Sequence, residues 1–484
     1  MSLGGDFIKK QIILLAVLIL ALVGCSPNSA NKVKEKAPVN TEQGLDKQPT
    51  QGTVTQEPAM EEQTEQQPVT SEELLKEMTN KEKSWMGLTT KQYLKDFDFL
   101  YEELQNNYPY FGVAWRKYNV NIADLYAVYR KQLIDCKNDD EFFTKLKAFM
   151  SELQYTGHIQ LWGYSYSSRL AELEETVKAF PEYEETLTRY IKKLENPVSQ
   201  KNYELMQEFY TKLDAEVDKR NQEKGISEDS DTDWQETEDI QYVTTKILEK
   251  NKIAYVDMKA FDMSTYEQDN KTLLAFYKEI QNYDHLILDI TENSGGGMDY
   301  FNQLVVAPLT NKTHSVSTFL LTKAGKNNEY FLNLKEGLEE GLWLPVSQLP
   351  ELGDVNKEDL SQMDYFMKET YLIKPNHQSE FDGKIWLLVS PRNYSSSEYA
   401  AMFSKQSGFA TLVGEKTGGD GIGVDPTYII LPNSGLVVQY SPIYGITADG
   451  RNSEEYGTEP DYYRQKDKTA LETCLELIKK NSTP

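Results

Sequence analysis

The chain is poor in cysteine and histidine. Its 484 residues include three cysteines and four histidines. Cys136 and Cys474 lie too far apart in sequence to indicate a disulfide framework. No H-E-x-x-H sequence occurs, and four scattered histidines are not typical of a metal site. We therefore expect neither a disulfide-stapled scaffold nor a zinc peptidase, and no metal or other cofactor.

Positive charge is also scarce. The 51 lysines and arginines are outnumbered by 76 aspartates and glutamates, which gives a formal net charge of -25. Proteins that bind nucleic acids need clustered lysine and arginine to contact the phosphates. The charge balance therefore argues against a nucleic-acid partner.

The apolar run Ile12–Val23 near the N-terminus follows Lys9-Lys10 and is too short to span a bilayer comfortably. It ends in Leu22-Val23-Gly24-Cys25, which resembles a bacterial lipobox. The resemblance implies cleavage before Cys25, lipid on that cysteine, and a mature protein anchored to a bacterial membrane outside the cytoplasm. The alternative is a buried apolar helix that contains an ordinary cysteine.

Large apolar residues are almost absent from Ser26 to about Ser71, where Pro, Gln, Thr, Glu and Lys dominate. Such a segment cannot bury enough surface to offset its ordering entropy, so we expect a flexible tether. The composition along the chain predicts five segments: a lipoprotein signal peptide (1–24), the tether (25–71), an N-terminal helical subdomain (72–163), a charged helical insertion (164–245) and an α/β core (246–484).

The N-terminal subdomain and the insertion both have helical patterns. Thr89 and Gln92 have the spacing of a capping box, followed by apolar residues at helical spacing up to Asn106-Asn107-Tyr108-Pro109. Residues 165 to about 222 are rich in Glu and Lys with intermittent Leu and Tyr, which predicts a long helical hairpin.

Beyond residue 250 the pattern changes to short apolar strands that alternate with helices, and this is typical of an α/β core. Buried strands are predicted at Ile253–Val256, His285–Ile290, Lys384–Ser390 and Thr411–Val413, with helices after Asn270, Asp299 and Ser396. The segments 428–431 and 436–440 flank Pro-Asn-Ser-Gly and predict a hairpin. An amphipathic helix is expected over 467–480.

Three segments contain residues that are able to do chemistry. Ser395 lies where an apolar strand meets a helix, so the first amides of that helix point toward its side chain. A serine hydroxyl needs a base, and His158 follows a glycine that allows close approach of the backbone. Gly295-Gly296-Gly297 would expose amides at the end of a strand, which favours an oxyanion site over a plain tight turn.

Five short stretches occur in an order that resembles one known family. They are "LQYTGHIQL", "LDITENSGGG", "NYSSSEYAAMF", "ATLVGEKTGG" and "ITADGRNSEEYGTEPD". The chain resembles the serine peptidase family of C-terminal processing proteases, tricorn core proteases and interphotoreceptor retinoid-binding protein over roughly residues 85–165 and 250–480. The resemblance implies a ClpP/crotonase-like β-β-α core and a serine peptidase that acts on peptides or proteins. It also implies Ser395 as nucleophile, because that serine stands three residues before Glu398.

The resemblance also distinguishes two branches of this family. The processing proteases use a lysine within Gly-Lys-Gly, but this chain has Gly418-Gly419-Asp420 at that place. The tricorn-like branch uses a histidine with a carboxylate helper, which implies His158 and Glu454. Glu455 is an adjacent alternative helper, and Lys416 is an alternative base. No segment resembles the PDZ domain that many members carry.

The resemblance implies acyl-enzyme hydrolysis. Ser395 would attack a peptide carbonyl, and His158 would transfer the proton. Glu454 would orient the histidine directly or through a bridging hydroxyl. The amides of Ser396 and of a glycine in 295–297 would hold the oxyanion, and Ser397 would pack or cap. A binding protein for an apolar ligand or a peptide, without catalytic activity on the same fold, is the competing hypothesis.

Overall fold

A computed structural model describes residues 67–179, 184–224, 226, 241–334, 341–423 and 426–481. The predicted signal peptide, Cys25 and most of the predicted tether lie outside these ranges. Within them, no helix has both the length and the apolar composition needed to cross a membrane. The predicted segment boundaries stay a prediction.

The described helices are, in chain order, α1 (Ser71–Glu77), α2 (Thr90–Asn107), α3 (Phe111–Tyr118), α4 (Ile122–Ile134), α5 (Asp139–Glu152), α6 (Tyr166–Ala179), α7 (Glu184–Leu194), α8 (Pro197–Glu223), α9 (Tyr266–Glu279), α10 (Met298–Phe301), α11 (Ala307–Leu309), α12 (Lys326–Leu334), α13 (Lys357–Leu360), α14 (Ser396–Ser407), α15 (Ser453–Tyr456) and α16 (Ala470–Asn481). A π-helical turn, Asn302–Val306, joins α10 to α11, and Thr156–His158 form a short 3₁₀ helix.

The described strands are β1 (Gln160–Leu161), β2 (Val243–Glu249), β3 (Ile253–Met258), β4 (His285–Asp289), β5 (His314–Thr322), β6 (Leu344–Pro345), β7 (Tyr365–Ile373), β8 (Lys384–Val389), β9 (Thr411–Gly414), β10 (Thr427–Ile430), β11 (Val437–Tyr440), β12 (Tyr444–Thr447) and β13 (Tyr462–Tyr463). Within the described residues they form three sheets with the orders β13-β9-β8-β4-β3-β2, β12-β5-β7-β6 and β1-β11-β10. The mixture of helices and sheets confirms the α/β fold class.

The chain divides into two compact units. The first contains the described residues of 78–211 and 234–484, and the second contains those of 26–77 and 212–233. In the second unit, Arg220 forms an ion pair with Glu77. The side-chain amide of Asn221 accepts from the Val69 amide and donates to the Val69 carbonyl.

The central strands of the largest sheet are buried on both faces, which explains their continuous apolar sequences. Because successive strand side chains point to opposite faces, alternate residues belong to different cores. Leu286 and Leu387 join the main hydrophobic core. Ile287 and Trp386 join a second core, which includes Cys474 of α16.

The topology of this sheet brings three loops to one edge. Strands β3, β4, β8 and β9 run parallel in neighbouring positions. The carboxyl ends of parallel strands meet at the same edge, where α/β sheets form their binding crevices. The loop after β4 contains Gly295–Gly297, the loop after β8 contains Ser395, and the loop after β9 contains Asp420.

Most local predictions are confirmed. Thr89 and Gln92 form the predicted capping box at the start of α2. Strands β10 and β11 form the predicted antiparallel hairpin. The predicted long helical hairpin over 165–222 is wrong, because the described part of this segment contains α6, α7 and α8. A new helix begins at Pro197, where the Asn196 side chain accepts hydrogen bonds from the amides of Val198 and Ser199.

Candidate active site

Ser395 is the N-cap residue of α14 and has an unusual backbone conformation. Its φ of 59° and ψ of -128° are costly for a residue with a Cβ and are typical of functional sites. The conformation is held by a hydrogen bond from the Ser395 amide to the Gly419 carbonyl at 3.2 Å. The Ser395 hydroxyl is buried and has no hydrogen-bond partner among the described residues. The fold therefore presents an uncommitted hydroxyl on a rigid turn.

The two serines after Ser395 have structural contacts. The Ser396 hydroxyl donates to the Gly296 carbonyl at 2.8 Å and so joins the serine loop to the glycine loop. The Ser397 hydroxyl bonds to the Asn293 carbonyl at 2.9 Å and accepts from the Tyr394 amide at 3.0 Å. The prediction that Ser397 caps or packs is confirmed, and the three serines have different environments.

The glycine loop leaves one of its amides without an acceptor. The Gly295 amide donates to the Asn293 side chain at 2.8 Å, and the Gly297 amide donates to the Phe261 carbonyl at 2.7 Å. Within the described residues the Gly296 amide has no acceptor. Gly296 has a φ of 134°, and a Cβ there would lie 2.1 Å from the Phe261 carbonyl oxygen, so only glycine fits.

The Ser396 amide is a second free donor close to this loop. It is the first helical amide of α14, so no carbonyl of that helix reaches it, and no other described residue accepts from it. The backbone of Gly295 lies against Ser395, since a Cβ on this glycine would be 3.2 Å from the Ser395 Cβ. Two uncommitted amides therefore lie in the adjoining glycine and serine loops, and free amides near a nucleophile are able to stabilise an oxyanion.

His158 is buried and is held at one ring nitrogen. Its Nδ1 lies 2.7 Å from Oδ2 of Asp420, and both side chains are 1% exposed. Its Nε2 has no partner among the described residues. An Nδ1–H that donates to the carboxylate leaves the Nε2 lone pair free, so this ring nitrogen is the one able to accept a proton.

The loop that carries His158 is strained. Tyr155 and His158 have φ values of 60° and 56°, in the left-handed region that favours glycine. Gly157 is required between them, because a Cβ there would lie 2.5 Å from the ring of Tyr110. The Gly157 carbonyl accepts from the Ser441 amide at 2.7 Å, which fixes the loop to the segment after β11. Strain of this kind occurs where a side chain must be held in one position.

Asp420 is the carboxylate partner of His158 and was not predicted from the sequence. The residue was noted only as part of Gly418-Gly419-Asp420, at the place of the lysine in the processing proteases. A carboxylate at a position that holds a catalytic lysine elsewhere was the signal that this loop faces the site. The loop is tied to the serine through the bond between the Ser395 amide and the Gly419 carbonyl.

Glu454 lies one step farther from His158. Its Oε2 accepts from the Tyr394 hydroxyl at 2.7 Å, and its Oε1 accepts from Lys117 Nζ at 2.8 Å. The same Tyr394 hydroxyl lies 3.1 Å from Oδ2 of Asp420. Burial, and after it the charge of Asp420, raises the pKa of Glu454 to about 7. The described side-chain contacts therefore connect Glu454 to the imidazole through Tyr394 and Asp420. Its Oε2 also accepts from the Gly157 amide, next to His158 in the chain, at 3.4 Å.

The two alternative residues lie elsewhere. Lys416 is exposed, and no described contact connects it to Ser395. Glu455 forms an ion pair with Arg116, with an Nη2 to Oε2 distance of 2.7 Å. The glycine loop lies against Ser395, and the loop whose Gly419 carbonyl accepts from the Ser395 amide also carries Asp420, the partner of His158. No contact among the described residues joins Ser395 to Lys416 or Glu455.

A further buried carboxyl group lies on the helix that follows Ser395. Glu398 is buried on the first turn of α14, where its Oε1 accepts from the Thr458 hydroxyl at 2.7 Å. Burial raises the pKa of Glu398 to about 8, so it is largely neutral at pH 7. Its location close to Asp420 and Glu454 means that several buried acids share this region.

Comparison with protein families and solved structures gives three results. The profile described as Peptidase family S41 matches residues 252–464. No match was found among curated proteins. The chain is similar to the solved structure of a putative peptidase from Parabacteroides merdae, with 16% identity, a TM-score of 0.48, and coverage of 79% of this chain and 96% of that one.

Two further solved structures are similar at a comparable level. One is a lipoprotein from Streptococcus agalactiae, with 13% identity, a TM-score of 0.41, and coverage of 80% of this chain and 96% of that one. The other is mature CPAF complexed with lactacystin, with 13% identity, a TM-score of 0.47, and coverage of 81% and 97%. At these TM-scores the likeness supports no conclusion about this chain.

Proposed function

Residues 252–464 make this chain a member of peptidase family S41, a serine-type peptidase, and from this premise we propose that it cleaves peptide bonds through an acyl-enzyme on Ser395. The observation that carries the proposal is a pair of buried, uncommitted atoms. Ser395 Oγ and His158 Nε2 both lack hydrogen-bond partners among the described residues. A buried hydroxyl and a buried ring nitrogen without partners are costly unless a substrate uses them.

The proposed acylation starts with proton transfer. His158 Nε2 takes the hydroxyl proton as Ser395 Oγ attacks the peptide carbonyl carbon. Asp420 accepts the hydrogen bond from Nδ1–H and stabilises the imidazolium that forms. The histidine then gives the proton to the leaving amine, and the C–N bond breaks.

The carbonyl oxygen gains negative charge during the attack. The amides of Gly296 and Ser396 have no acceptor among the described residues and lie in the adjoining glycine and serine loops, so they are the proposed oxyanion hole. Gly295 and Gly297 contribute shape, because their own amides are already bonded. Donors fixed before the reaction need no reorganisation when the charge appears.

Deacylation repeats these steps with water. His158 takes a proton from a water molecule, whose oxygen attacks the ester carbonyl. The bond between the acyl carbon and Ser395 Oγ then breaks as the histidine returns the proton to Oγ. Glu454 supports the histidine indirectly, because it bonds to Tyr394, whose hydroxyl contacts Asp420. The products are a free carboxylic acid and the regenerated hydroxyl.

The location and the finer fold class remain parts of this proposal. The basic Lys9-Lys10, the apolar run Ile12–Val23 and the sequence before Cys25 support an extracytoplasmic enzyme anchored to a bacterial membrane by lipid. The parallel strands with a helix after the serine loop are compatible with a ClpP/crotonase-like β-β-α core.

Labelling with a fluorophosphonate tests the proposal. We expect covalent labelling at Ser395 in the wild type and cleavage of a peptide library, and loss of both in Ser395→Ala and His158→Ala. Ser404→Ala is a matched control, because the Ser404 hydroxyl in α14 is also buried and has no partner in the described part of the chain. His377→Ala, at an exposed histidine, is the second control. A folded wild type that neither labels nor cleaves would instead support the inactive binding protein.

A further inference from the structure

The Tyr394 hydroxyl has more acceptors than it has hydrogens. Its oxygen lies 2.7 Å from Oε2 of Glu454 and 3.1 Å from Oδ2 of Asp420. A phenol donates one hydrogen, so it cannot donate fully to both carboxylates at once. Burial, with the charges of Asp420 and Glu454, holds the pKa of Tyr394 well above its ordinary value, so the hydroxyl keeps its hydrogen.

Two ionised carboxylates would leave one of these short contacts without a hydrogen. A proton on Glu454 removes the conflict, because its hydroxyl then donates to the Tyr394 oxygen while the tyrosine donates to Asp420. Each contact in this series of hydrogen bonds then has one hydrogen, from Glu454 to Tyr394, from Tyr394 to Asp420, and from Nδ1 of His158 to Asp420. Burial of Glu454 favours this neutral form.

The neighbouring donors do not replace the hydrogen bond from Tyr394 to Asp420. Lys117 contacts Glu454 at the Oε1 side, through Nζ at 2.8 Å. The Tyr110 hydroxyl lies 3.3 Å from Oδ1 of Asp420, but it also donates to the Ile443 carbonyl at 2.5 Å. Among the described residues, Tyr108, His158 and Glu398 also lie near these carboxylates, and Tyr155 lies near Tyr394.

We propose that Tyr394 is a positioning residue: its hydrogen points to Asp420 while Glu454 is protonated, and turns to Glu454 when that carboxyl ionises. Glu454 therefore acts on His158 through the tyrosine. In the first state Asp420 is held by hydrogen bonds from both Tyr394 and the histidine. In the second state it loses the bond from the tyrosine, and the histidine is held less firmly.

This inference rests on the proposed function for its kinetic consequence, which a double-mutant cycle measures. Tyr394→Phe is expected to lower the rate of fluorophosphonate labelling by about tenfold, the effect of one hydrogen bond to a charged group. Glu454→Gln keeps a neutral donor against the Tyr394 oxygen, so it should label like wild type below pH 7 and faster than wild type above pH 7. Because Glu454 acts through the tyrosine, the double variant should label like Tyr394→Phe, within about twofold. An effect of Glu454→Gln that persists in the Tyr394→Phe background would overturn the proposal.

A second readout does not depend on catalysis. The buried Nδ1 proton of His158, which bonds to Asp420, is expected to give a low-field NMR signal that the chain's other three histidines do not share. In the wild type this signal should move with a midpoint near pH 7, where Glu454 ionises. The step should disappear in Glu454→Gln and in Tyr394→Phe. A step that persists unchanged in Tyr394→Phe would refute the role of the tyrosine.

Tyr93→Phe is the matched control. The Tyr93 hydroxyl also donates to a buried aspartate, with 2.7 Å to Oδ1 of Asp139, but it lies in the helical region. This variant should keep both the labelling rate and the pH step.

If wild type fails to label Ser395, the proposed function fails, while the NMR step still decides the role of Tyr394. If Tyr394→Phe does not fold, a step that survives Glu454→Gln overturns the proposal by itself.

Discussion

Asp420→Asn is the substitution that most directly tests how the histidine is held. Asparagine has nearly the same shape, so the packing of this buried position should survive. The asparagine amide, however, is able to donate to Nδ1 of His158, which places the ring hydrogen on Nε2. That tautomer cannot accept the proton of Ser395.

The size of the effect follows from the contact that is lost. A hydrogen bond to a charged group contributes about 1.5–3 kcal/mol, and this one is buried at 2.7 Å between side chains that are 1% exposed. Restoring the reactive tautomer against the asparagine donor costs about 1–3 kcal/mol more. The sum, about 2.5–6 kcal/mol, corresponds to a loss of roughly 10²–10⁴-fold in the acylation rate.

The assay is the second-order rate of fluorophosphonate labelling, corrected for folded protein. Glu454→Gln should lose much less than Asp420→Asn, because Glu454 has no described contact with the imidazole. Asp96→Asn is a control at another buried aspartate, which bonds to Asn433 and Ser434. A rate for Asp420→Asn within tenfold of wild type, or a larger loss in Glu454→Gln, would refute the reasoning.

Three other predictions concern stability and pH. Gly296→Ala should lower the free energy of unfolding by about 2 kcal/mol or more, since its Cβ would meet the Phe261 carbonyl at 2.1 Å; urea unfolding checks this, and an unchanged midpoint would contradict it. Burial raises the pKa of Glu398 to about 8 and that of Glu454 to about 7, both from 4.5, so the native state binds more protons than the unfolded chain above pH 4.5. Their stabilising contribution is therefore complete below about pH 4.5 and is lost as pH rises to 8. The melting temperature should fall less between pH 5 and about pH 9 in Glu398→Gln than in wild type, and equal slopes would argue against a buried neutral acid. Trp386→Ala should cost about 3–5 kcal/mol of unfolding free energy, because the ring is fully buried in the second core, and a loss below about 1 kcal/mol would contradict that packing.

Local elements were predictable from the sequence because their causes are local. The capping box at Thr89 and Gln92 depends on residues three positions apart. The Pro-Asn-Ser-Gly turn connects the two strands of a hairpin, and the buried strands are short apolar runs. The predicted helical hairpin was wrong for a local reason too, because the Asn196 side chain caps a new helix that begins at Pro197.

The candidate site was predictable only in part. Resemblance to a family pointed to Ser395 and His158, and both carry an uncommitted buried atom in the structure. Asp420 was not found, because it is separated from His158 by 262 positions. Nothing in the residues around it shows which ring it faces. Tyr394 was unremarkable in sequence for the same reason.

The amino-acid order alone sets the short-range features: the acidic balance, the apolar strands, and the serine and glycines that follow two of those strands. These depend on composition and on spacings of a few residues. Which carboxylate holds the histidine depends on the parallel order of β4, β8 and β9, and on the pairing of β1 with β11. Only the folded chain decides that contact, because it joins loops from distant parts of the sequence through the register of a sheet.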